Sequence, residues 1–195
     1  MDGAGGVEDL AIGAPEAILA LVSPSLEERT AWTALVETRA AAGERLVAVA
    51  RRPDGGTWAV RALIGFADPL RDGIREALET VRVAGIEVIV VTGDHPLTAA
   101  AIAAEAGLDR ARVVVGEDVA GWDDARLTAE LGRLQVVARS TPEQKERLVR
   151  IARAAGRTVA VTGDGVNDAP ALHGADVAVA MGSGTGVAKE AADLV

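Results

Sequence analysis

Carboxylates, a lysine and a hydroxyl follow three predicted strands, at the points where those strands end. Asp164 and Asp168 are four residues apart on a glycine turn, Lys145 follows Ala-Arg-Ser-Thr-Pro-Glu-Gln, and Thr92 opens the sequence Thr-Gly-Asp. Carboxylate oxygens suit Mg²⁺, which takes one or two of them and keeps water or phosphate oxygens in its remaining positions. A hydroxyl and an amine can bind phosphoryl oxygens and neutralise charge during transfer. These residue types predict a site for magnesium and a phosphoryl group.

Each segment also has a structural interpretation. Thr-Gly-Asp after a strand is a common turn and helix cap, and a lone lysine usually lies on the solvated face of its helix. The turn of Asp164 is harder to explain in this way, because two like charges on one turn are expected to repel. His95, next to Pro96, is predicted to begin a helix, and Glu16 to be a solvated or capping carboxylate. The occurrence of all three segments after strand ends favours a functional site.

The elements that must position these residues alternate between helix and strand beyond residue 68. Helices are predicted at 72–84, 97–106, 123–131, 142–155, 169–172 and 187–192, with strands at 88–91, 113–115, 136–138, 158–161 and 177–180. The strand runs are continuously apolar, as expected when helices cover both faces of a parallel sheet. The pattern predicts a doubly wound α/β domain, in which ligands bind beyond the carboxyl ends of the strands.

The first 66 residues have a different pattern. A strand, a turn and a short helix are predicted within residues 1–25, followed by a surface helix at 26–42 and two strands at 46–50 and 58–64. The link between the two strands contains Pro-Asp-Gly-Gly, which is typical of an antiparallel hairpin. An α+β unit is therefore expected to precede the α/β domain.

Composition and charge disfavour several classes of protein. The 195 residues include no cysteine and two histidines, which excludes disulfides and thiolate metal sites and disfavours an imidazole metal site. The net charge of −9 argues against nucleic acid as a partner. No apolar run approaches the ~20 residues that span a bilayer, and the start lacks the pattern of a signal peptide. We therefore expect a soluble chain in a reducing, cytoplasmic setting.

A glycine-rich segment at residues 182–186, Gly-Ser-Gly-Thr-Gly, follows a predicted strand and opens a helix. Its spacing is G-x-G-x-G, whereas a dinucleotide-binding turn requires G-x-G-x-x-G. The sequence also contains no G-x-x-x-x-G-K-[ST] loop. Neither a dinucleotide site nor a Walker-type ATPase is predicted.

The sequence TGDGVNDAPAL at residues 162–172 closely resembles the hinge motif of P-type cation-transporting ATPases. Around it stand, in the order of that family, GAPEAI at 13–18, GERLVAVA at 43–50, DPLR at 68–71, TGDHPLTA at 92–99, ARSTPEQK at 138–145 and MGSGTGVAKEAADLV at 181–195. The resemblance covers nearly the whole chain. The forms TGDHPLTA and PEQK look more like the pumps for Ca²⁺, Mg²⁺, Na⁺ or H⁺ than the heavy-metal branch.

The resemblance implies a fold and a division into domains. Residues 67–195 would be most of a phosphorylation domain of haloacid-dehalogenase-like fold, without its first strand and nucleophile loop. Residues 1–66 would be the C-terminal part of a nucleotide-binding domain. The remainder of a pump, including its membrane helices, would be the partner of this chain, which would lie on the cytoplasmic side of an integral membrane protein.

The resemblance also implies roles for individual residues. Asp164 and Asp168 would form the magnesium site, with Asn167 supporting metal and phosphate. Thr92 and Lys145 would bind the phosphoryl group. Contacts with ATP, the substrate, would come from the following residues: Arg45, Asp68, Arg71, Thr92, Gly93 and Asp94.

The departures from the family pattern limit what the chain is expected to do alone. The Asp-Lys-Thr-Gly-Thr loop, whose aspartate becomes the phosphorylated intermediate in the family, does not occur here. Ile12 replaces a lysine that helps to hold ATP in the family, and Leu70 replaces a proline. The leading hypothesis is a cytoplasmic piece of a P-type pump that is inactive by itself. The alternatives are a free-standing module that binds magnesium and phosphate or nucleotide without turnover, and a soluble phosphatase of the same superfamily.

Overall fold

The computed structural model describes residues 8–67, 69–108 and 112–195. Its N-terminal part is an antiparallel sheet in the order β1-β2-β3, formed by β1 (Glu8–Gly13), β2 (Arg45–Pro53) and β3 (Ala59–Phe66). Two helices, α1 (Pro15–Val22) and α2 (Leu26–Ala41), separate β1 from β2 in the chain. The predicted hairpin of β2 and β3 is confirmed, and its turn is closed by the N–H of Gly56, which donates to the carbonyl of Pro53 (2.9 Å).

Local signals set the ends of α2. The hydroxyl of Ser25 accepts the N–H of Glu28 (3.3 Å), while the Glu28 carboxylate accepts the N–H of Ser25 (3.0 Å). This reciprocal cap satisfies donors that the first turn of a helix leaves free. Gly43 follows the end of the helix with a φ of +85°, a conformation that glycine adopts without steric cost.

The antiparallel sheet is covered by α1 on one face and joined to the next part of the fold. Ile18 of α1 packs on Ala48 and Ala50 of β2, and all three are buried. The hydroxyl of Thr98, a residue that is 1% exposed, donates to the carbonyl of Glu44 beside β2 (2.8 Å). A partly buried hydrogen bond therefore links the sheet to the helix that carries Thr98.

Beyond residue 73, helices and strands alternate as predicted. The helices are α3 (Ile74–Val83), α4 (Pro96–Glu105), α5 (Gly116–Ala120), α6 (Asp124–Glu130), α7 (Pro142–Ala154), α8 (Ala169–Gly174) and α9 (Gly186–Glu190). The strands are β4 (Val90–Val91), β5 (Val113–Val115), β6 (Val136–Ala138), β7 (Ala160–Gly163) and β8 (Val177–Ala180). They pair in parallel in two sets, β4-β6-β5 and β7-β8. The predicted α/β class with parallel strands is confirmed.

Alternate residues of β6 face different helices. Val137 is fully buried in a cluster with residues of the segment from α5 to α7, including Val119, Leu127 and Leu148. Val136 and Ala138 point the other way and pack against residues of α4. Burial on both faces is the arrangement expected of a doubly wound sheet, and it explains why the strand is continuously apolar in sequence.

The structure differs from the predicted elements at several boundaries and in short helices that are not predicted. β4 is shorter than the predicted strand at 88–91, and it pairs with β6 alone among the described residues. β7 begins later than residue 158, since the N–H of Val159 donates to the carboxylate of Asp176 (2.9 Å) and not to a neighbouring strand. α5 is not predicted, because five residues are too few to show a helical period.

The described structure does not test two of the predictions. Asp68 lies outside the described residues, and the division into domains at 1–66 and 67–195 stays a prediction. None of the helices that the structure describes combines the length and the apolar character needed to cross a membrane.

Candidate functional site

The first segment of the site is the turn after β4. The hydroxyl of Thr92 donates to Oδ2 of Asp94 (3.0 Å), and the same hydroxyl oxygen accepts the N–H of Asp94 (3.1 Å). Nε of Arg45, at the start of β2, lies 2.8 Å from Oδ1 of Asp94. The structure therefore brings four predicted residues together here, since Gly93 lies between Thr92 and Asp94 on the same turn.

The loop between β6 and α7 lies beside this turn. The N–H of Ser140 donates to the carbonyl of Thr92 (2.9 Å), and the N–H of Arg139 donates to the carbonyl of Asp94 (3.1 Å). Arg139 has a φ of 53°, a left-handed conformation that is uncommon for residues other than glycine. These two bonds continue the pairing of β4 with β6 beyond the strand ends and fix the distance between the two loops.

α7 begins at this loop and carries Lys145 in its first turn. Thr141 and Gln144 form a reciprocal cap, with Oε1 of Gln144 accepting the N–H of Thr141 (3.0 Å). Nε2 of Gln144 donates to the carbonyl of Gly116 (2.8 Å). A Cβ on Gly116 would lie 2.5 Å from the carbonyl oxygen of Arg139, so a larger residue would displace the loop. The start of α7, and with it Lys145, is held against the junction of β5 and α5.

Lys145 reaches the turn after β7. Its Nζ lies 2.7 Å from Oδ1 of Asp168, while Oδ2 of Asp168 accepts the N–H groups of Gly165 (3.0 Å) and Asp164 (3.2 Å). Burial of the Asp168 carboxyl opposes its ionisation, but the hydrogen bonds from Lys145 and from the two N–H groups, with the charge of Lys145, lower its pKa below the ordinary value. Asp168 is therefore ionised at neutral pH and joins α7 to this turn.

Asp164 and Asn167 lie on the same turn with exposed side chains. The contacts of Asp164 within the described residues are made by its backbone. Asp168, in contrast, has both oxygens engaged, and Lys145 offsets the repulsion that the sequence predicts between the two carboxylates.

The carboxylate of Asp164 is the donor that could hold a metal. No three His, Cys, Asp or Glu side chains converge in the ranges that the structure describes, so a metal cage built from this chain alone is not seen there. Mg²⁺ is commonly bound through one or two carboxylates with water and phosphate oxygens completing its shell. The single exposed carboxylate of Asp164 fits that pattern.

A cavity of about 480 Å³ lies between the antiparallel sheet and the end of β4. Three residues predicted to contact nucleotide, Arg45, Gly93 and Asp94, line it together with Phe66 and Arg139. The volume is in the range of small-molecule sites. Two guanidinium groups beside an aromatic ring could hold a ligand with an anionic and an apolar part.

Two residues near this cavity have clear structural roles. Glu16, predicted to be solvated or capping, forms an ion pair with Arg139. His95 begins α4 as predicted, with its Nδ1 accepting the N–H of Leu97 (3.3 Å). Burial, together with the positive charge of Arg139, lowers the pKa of His95 below its ordinary value. His95 is therefore neutral at pH 7.

Of the remaining predicted residues, one lies away from the cavity and one is outside the described part of the chain. Arg71 is exposed ahead of α3 and lines neither the cavity nor the turn after β7, and Asp68 lies outside the described residues. Gly116, Gln144 and Arg139 are missed by sequence reasoning. For Gln144 the Thr-x-x-Gln spacing of a reciprocal cap is the signal that could have found it.

Comparison with known proteins identifies the family. The haloacid dehalogenase-like hydrolase family matches residues 6–176. The chain is 47% identical over 146 residues, 73% of its length, to calcium-transporting ATPase 4, plasma membrane-type, of Arabidopsis thaliana. It is 40% identical over 157 residues, 79% of its length, to calcium-transporting ATPase type 2C member 1 of Homo sapiens. It is 37% identical over 164 residues, 78% of its length, to magnesium-transporting ATPase, P-type 1, of Salmonella typhimurium.

The chain spans only a small part of these relatives, 14% of the plant protein, 17% of the human protein and 18% of the bacterial protein. The match to the family, in contrast, extends over most of the chain and includes the strand ends that carry Thr92, Lys145 and Asp164. The chain therefore belongs to the haloacid dehalogenase-like hydrolases, and its resemblance to P-type cation-transporting ATPases is confirmed.

Proposed function

We propose that this chain supplies the magnesium- and phosphate-binding residues of a P-type ATPase, in which ATP hydrolysis drives cation transport through an aspartyl-phosphate intermediate. The observation that carries the proposal is the link from Lys145 through the Asp168 carboxylate to the turn of Asp164. It gathers a cation, an anchored turn and an exposed carboxylate beyond a strand end, where ligands bind in parallel α/β folds.

Each side chain of this link has a proposed part in phosphoryl transfer. Asp164 would hold Mg²⁺, which when bound neutralises charge on the phosphoryl oxygens. Lys145 donates hydrogen bonds to the same oxygens as negative charge develops on them. Asp168 keeps Lys145 oriented and contributes to the metal site through the turn that it holds. Asn167, exposed on that turn, supports the metal and phosphate.

Thr92 is proposed to bind the phosphoryl group from the turn after β4. Its hydroxyl now donates to Asp94, so a phosphoryl oxygen would have to replace the Asp94 carboxylate as acceptor. The N–H groups of the turn would add further donors. Phosphate binding at this turn would therefore include a change of acceptor for the Thr92 hydroxyl.

ATP is proposed to bind in the cavity lined by Arg45, Gly93 and Asp94. Arg45 would contact the phosphates. Asp68 and Arg71 stay proposed contacts of ATP on the family resemblance alone. Ile12 is 68% exposed on β1 and offers no charge to ATP. The cavity is therefore expected to bind ATP weakly in this chain alone.

The carboxylate that reacts with ATP is not assigned to any residue of this chain. The Asp-Lys-Thr-Gly-Thr sequence does not occur in the 195 residues. In the proposed reaction it is supplied by the remainder of the pump, which would also provide the membrane helices and place this part on the cytoplasmic side.

Magnesium titration of the folded chain tests the proposal. If Mg²⁺ binds only the folded form with a dissociation constant of ~1 mM, then ~10 mM Mg²⁺ stabilises it by about 1.4 kcal/mol. This corresponds to a rise in Tm of roughly 3 to 6 °C for a chain of this size. The rise in Tm should largely disappear in Asp164→Asn. It should persist in Asp54→Asn, which removes the same charge from the exposed hairpin turn.

The melts are carried out at constant ionic strength, so that general screening is the same in every sample. An equal response to Mg²⁺ in wild type and Asp164→Asn would overturn the assignment of Asp164 as the ligand. No response in the wild type would overturn the metal site itself.

A further inference from the structure

The glycine-rich segment at 182–186 contacts the turn that carries Asp164. The N–H of Thr185 donates to the carbonyl of Asp164 (2.8 Å), and the N–H of Met181 donates to the carbonyl of Gly163 (3.0 Å). A Cβ on Gly184 would lie 2.9 Å from the carbonyl oxygen of Met181, 3.0 Å from the carbonyl oxygen of Asp164 and 3.1 Å from the Cα of Asp164. All three are backbone atoms that cannot rotate away, so a larger residue would displace the segment or the turn.

Thr185 is itself held in place by the helix that follows. Its Oγ1 accepts the N–H of Ala188 (3.3 Å) as the cap of α9. Ala188 is fully buried in a cluster with Leu172 of α8 and Ala180 of β8. The N–H of Thr185, which donates to Asp164, therefore belongs to a segment that is anchored in the core through Ala188.

The backbone of Asp164 is consequently held from two sides. Its N–H donates to Asp168, and its carbonyl accepts from Thr185. Both peptide groups next to its Cα are thus oriented by neighbouring elements, while its side chain stays exposed. An exposed carboxylate with a fixed backbone can present its oxygens to a ligand without first ordering the main chain, which lowers the entropic cost of binding.

We infer that Gly184 and Thr185 are positioning residues for the Asp164 carboxylate, and this inference rests on the proposed function of Asp164 as the magnesium ligand. The glycine-rich segment then positions Asp164 in two ways. Gly184 packs closely against the turn, and the N–H of Thr185 donates to the carbonyl of Asp164. Residues that orient a metal ligand in this way typically change metal affinity by about 10- to 100-fold when replaced.

The experiment compares two glycines of the same segment. Gly184→Ala places a methyl group against the backbone of Met181 and Asp164, whereas Gly182→Ala places it where no atom of the described residues lies within 4 Å. Neither glycine has a φ in the left-handed region, so the two variants differ in contact and not in backbone strain. Mg²⁺ affinity is measured from backbone amide shifts in NMR titrations, and Tm and hydrogen exchange are measured without metal.

The expected result is a loss of Mg²⁺ affinity of about 10-fold or more in Gly184→Ala, with Gly182→Ala close to wild type. Without metal, exchange at the N–H groups of Thr185 and Asp164 should be faster in Gly184→Ala only. A second variant, Thr185→Ala, removes the cap of α9 and should weaken Mg²⁺ binding by a smaller factor. Ser25→Ala removes the corresponding cap of α2 and should leave Mg²⁺ binding unchanged.

The outcomes separate this inference from the proposed function. Mg²⁺ binding in the wild type with equal affinity in Gly184→Ala and Gly182→Ala would overturn the positioning role and leave Asp164 as the ligand. If Gly184→Ala does not fold, unchanged affinity in Thr185→Ala overturns it in the same way. No binding in the wild type would overturn the proposed metal site, and the positioning role with it.

Discussion

The ammonium group of Lys145 lies 2.7 Å from the carboxylate of Asp168, and the two side chains are only 21% and 15% exposed. Lys145 belongs to the helix after β6, and Asp168 to the turn after β7. These strands lie in two hydrogen-bonded sets that share no strand pair among the described residues. The ion pair is therefore a polar link between the two sets, at the edge where the proposed site lies.

Removing the charge of Asp168 is expected to destabilise the fold. Asp168→Asn leaves Lys145 without its partner in a sheltered place, which should cost about 2 kcal/mol. For a chain of this length, Tm should fall by roughly 4 to 8 °C. Thermal unfolding measures the change, with Asp54→Asn as the control for a loss of charge at an exposed position.

A double-mutant cycle isolates the pair itself. Lys145→Met, Asp168→Asn and the double variant should show a coupling free energy of about 1 to 2 kcal/mol. Additive effects of the two single variants would show that the pair contributes nothing beyond the separate side chains.

The contribution of Asp168 is expected to depend on pH. Its pKa is lowered in the folded state, so its stabilising effect is fully present above the ordinary carboxyl pKa of about 3.9. The effect is lost as the pH falls through the lower pKa of the folded protein. Urea unfolding should therefore show a constant difference between wild type and Asp168→Asn from pH 7 to about pH 5, which shrinks at lower pH. A difference that does not shrink there would contradict the lowered pKa.

The strand ends at Thr92, Lys145 and Asp164 are predictable because each follows a short apolar run, and such runs reveal buried parallel strands. The inward direction of Asp168 is not predictable in this way. It depends on Lys145, which belongs to the helix after another strand, and on two backbone N–H groups of its own turn. Sequence spacing therefore shows two acids on a turn but not which of them faces solvent.

The cavity is less predictable than the strand ends. Arg139 and Glu16 are far apart in the chain, and their ion pair follows from how the antiparallel sheet packs on the parallel part. The left-handed backbone of Arg139 has no local sequence signal, since glycine or asparagine is the usual residue in that conformation. Contacts of this kind depend on tertiary packing and not on any local pattern.

The 195-residue chain is expected to form no phosphoenzyme. Incubation with ATP labelled on the γ-phosphate should leave no acid-stable label, because the chain provides groups that bind phosphate but no assigned nucleophile. A relative that contains the Asp-Lys-Thr-Gly-Thr loop is labelled in parallel as a positive control. A label on this chain that hydroxylamine removes would identify a carboxylate here as the nucleophile and favour an autonomous phosphatase.

ATP is expected to bind the wild type with a dissociation constant above ~1 mM. Asp94→Asn should bind ATP about five-fold more tightly, because it frees Arg45 from its carboxylate partner and removes a negative charge from the cavity wall. Asparagine keeps an oxygen that can accept the hydroxyl proton of Thr92, so the turn should persist. Calorimetric titration compares this variant with Asp54→Asn, and equal affinities in the two would exclude ATP from the cavity beside Asp94.

The partly buried hydrogen bond from Thr98 to the carbonyl of Glu44 bears on the way the chain unfolds. Separating the antiparallel sheet from α4 leaves a hydroxyl and a carbonyl without partners until water reaches both, so partial opening along this boundary costs about 1 to 3 kcal/mol more than it would without this bond. The bond therefore favours joint unfolding of the sheet and the parallel strands. Hydrogen exchange of amide groups in β3 and β6 is expected to give the same free energy of unfolding, as in a single cooperative unit.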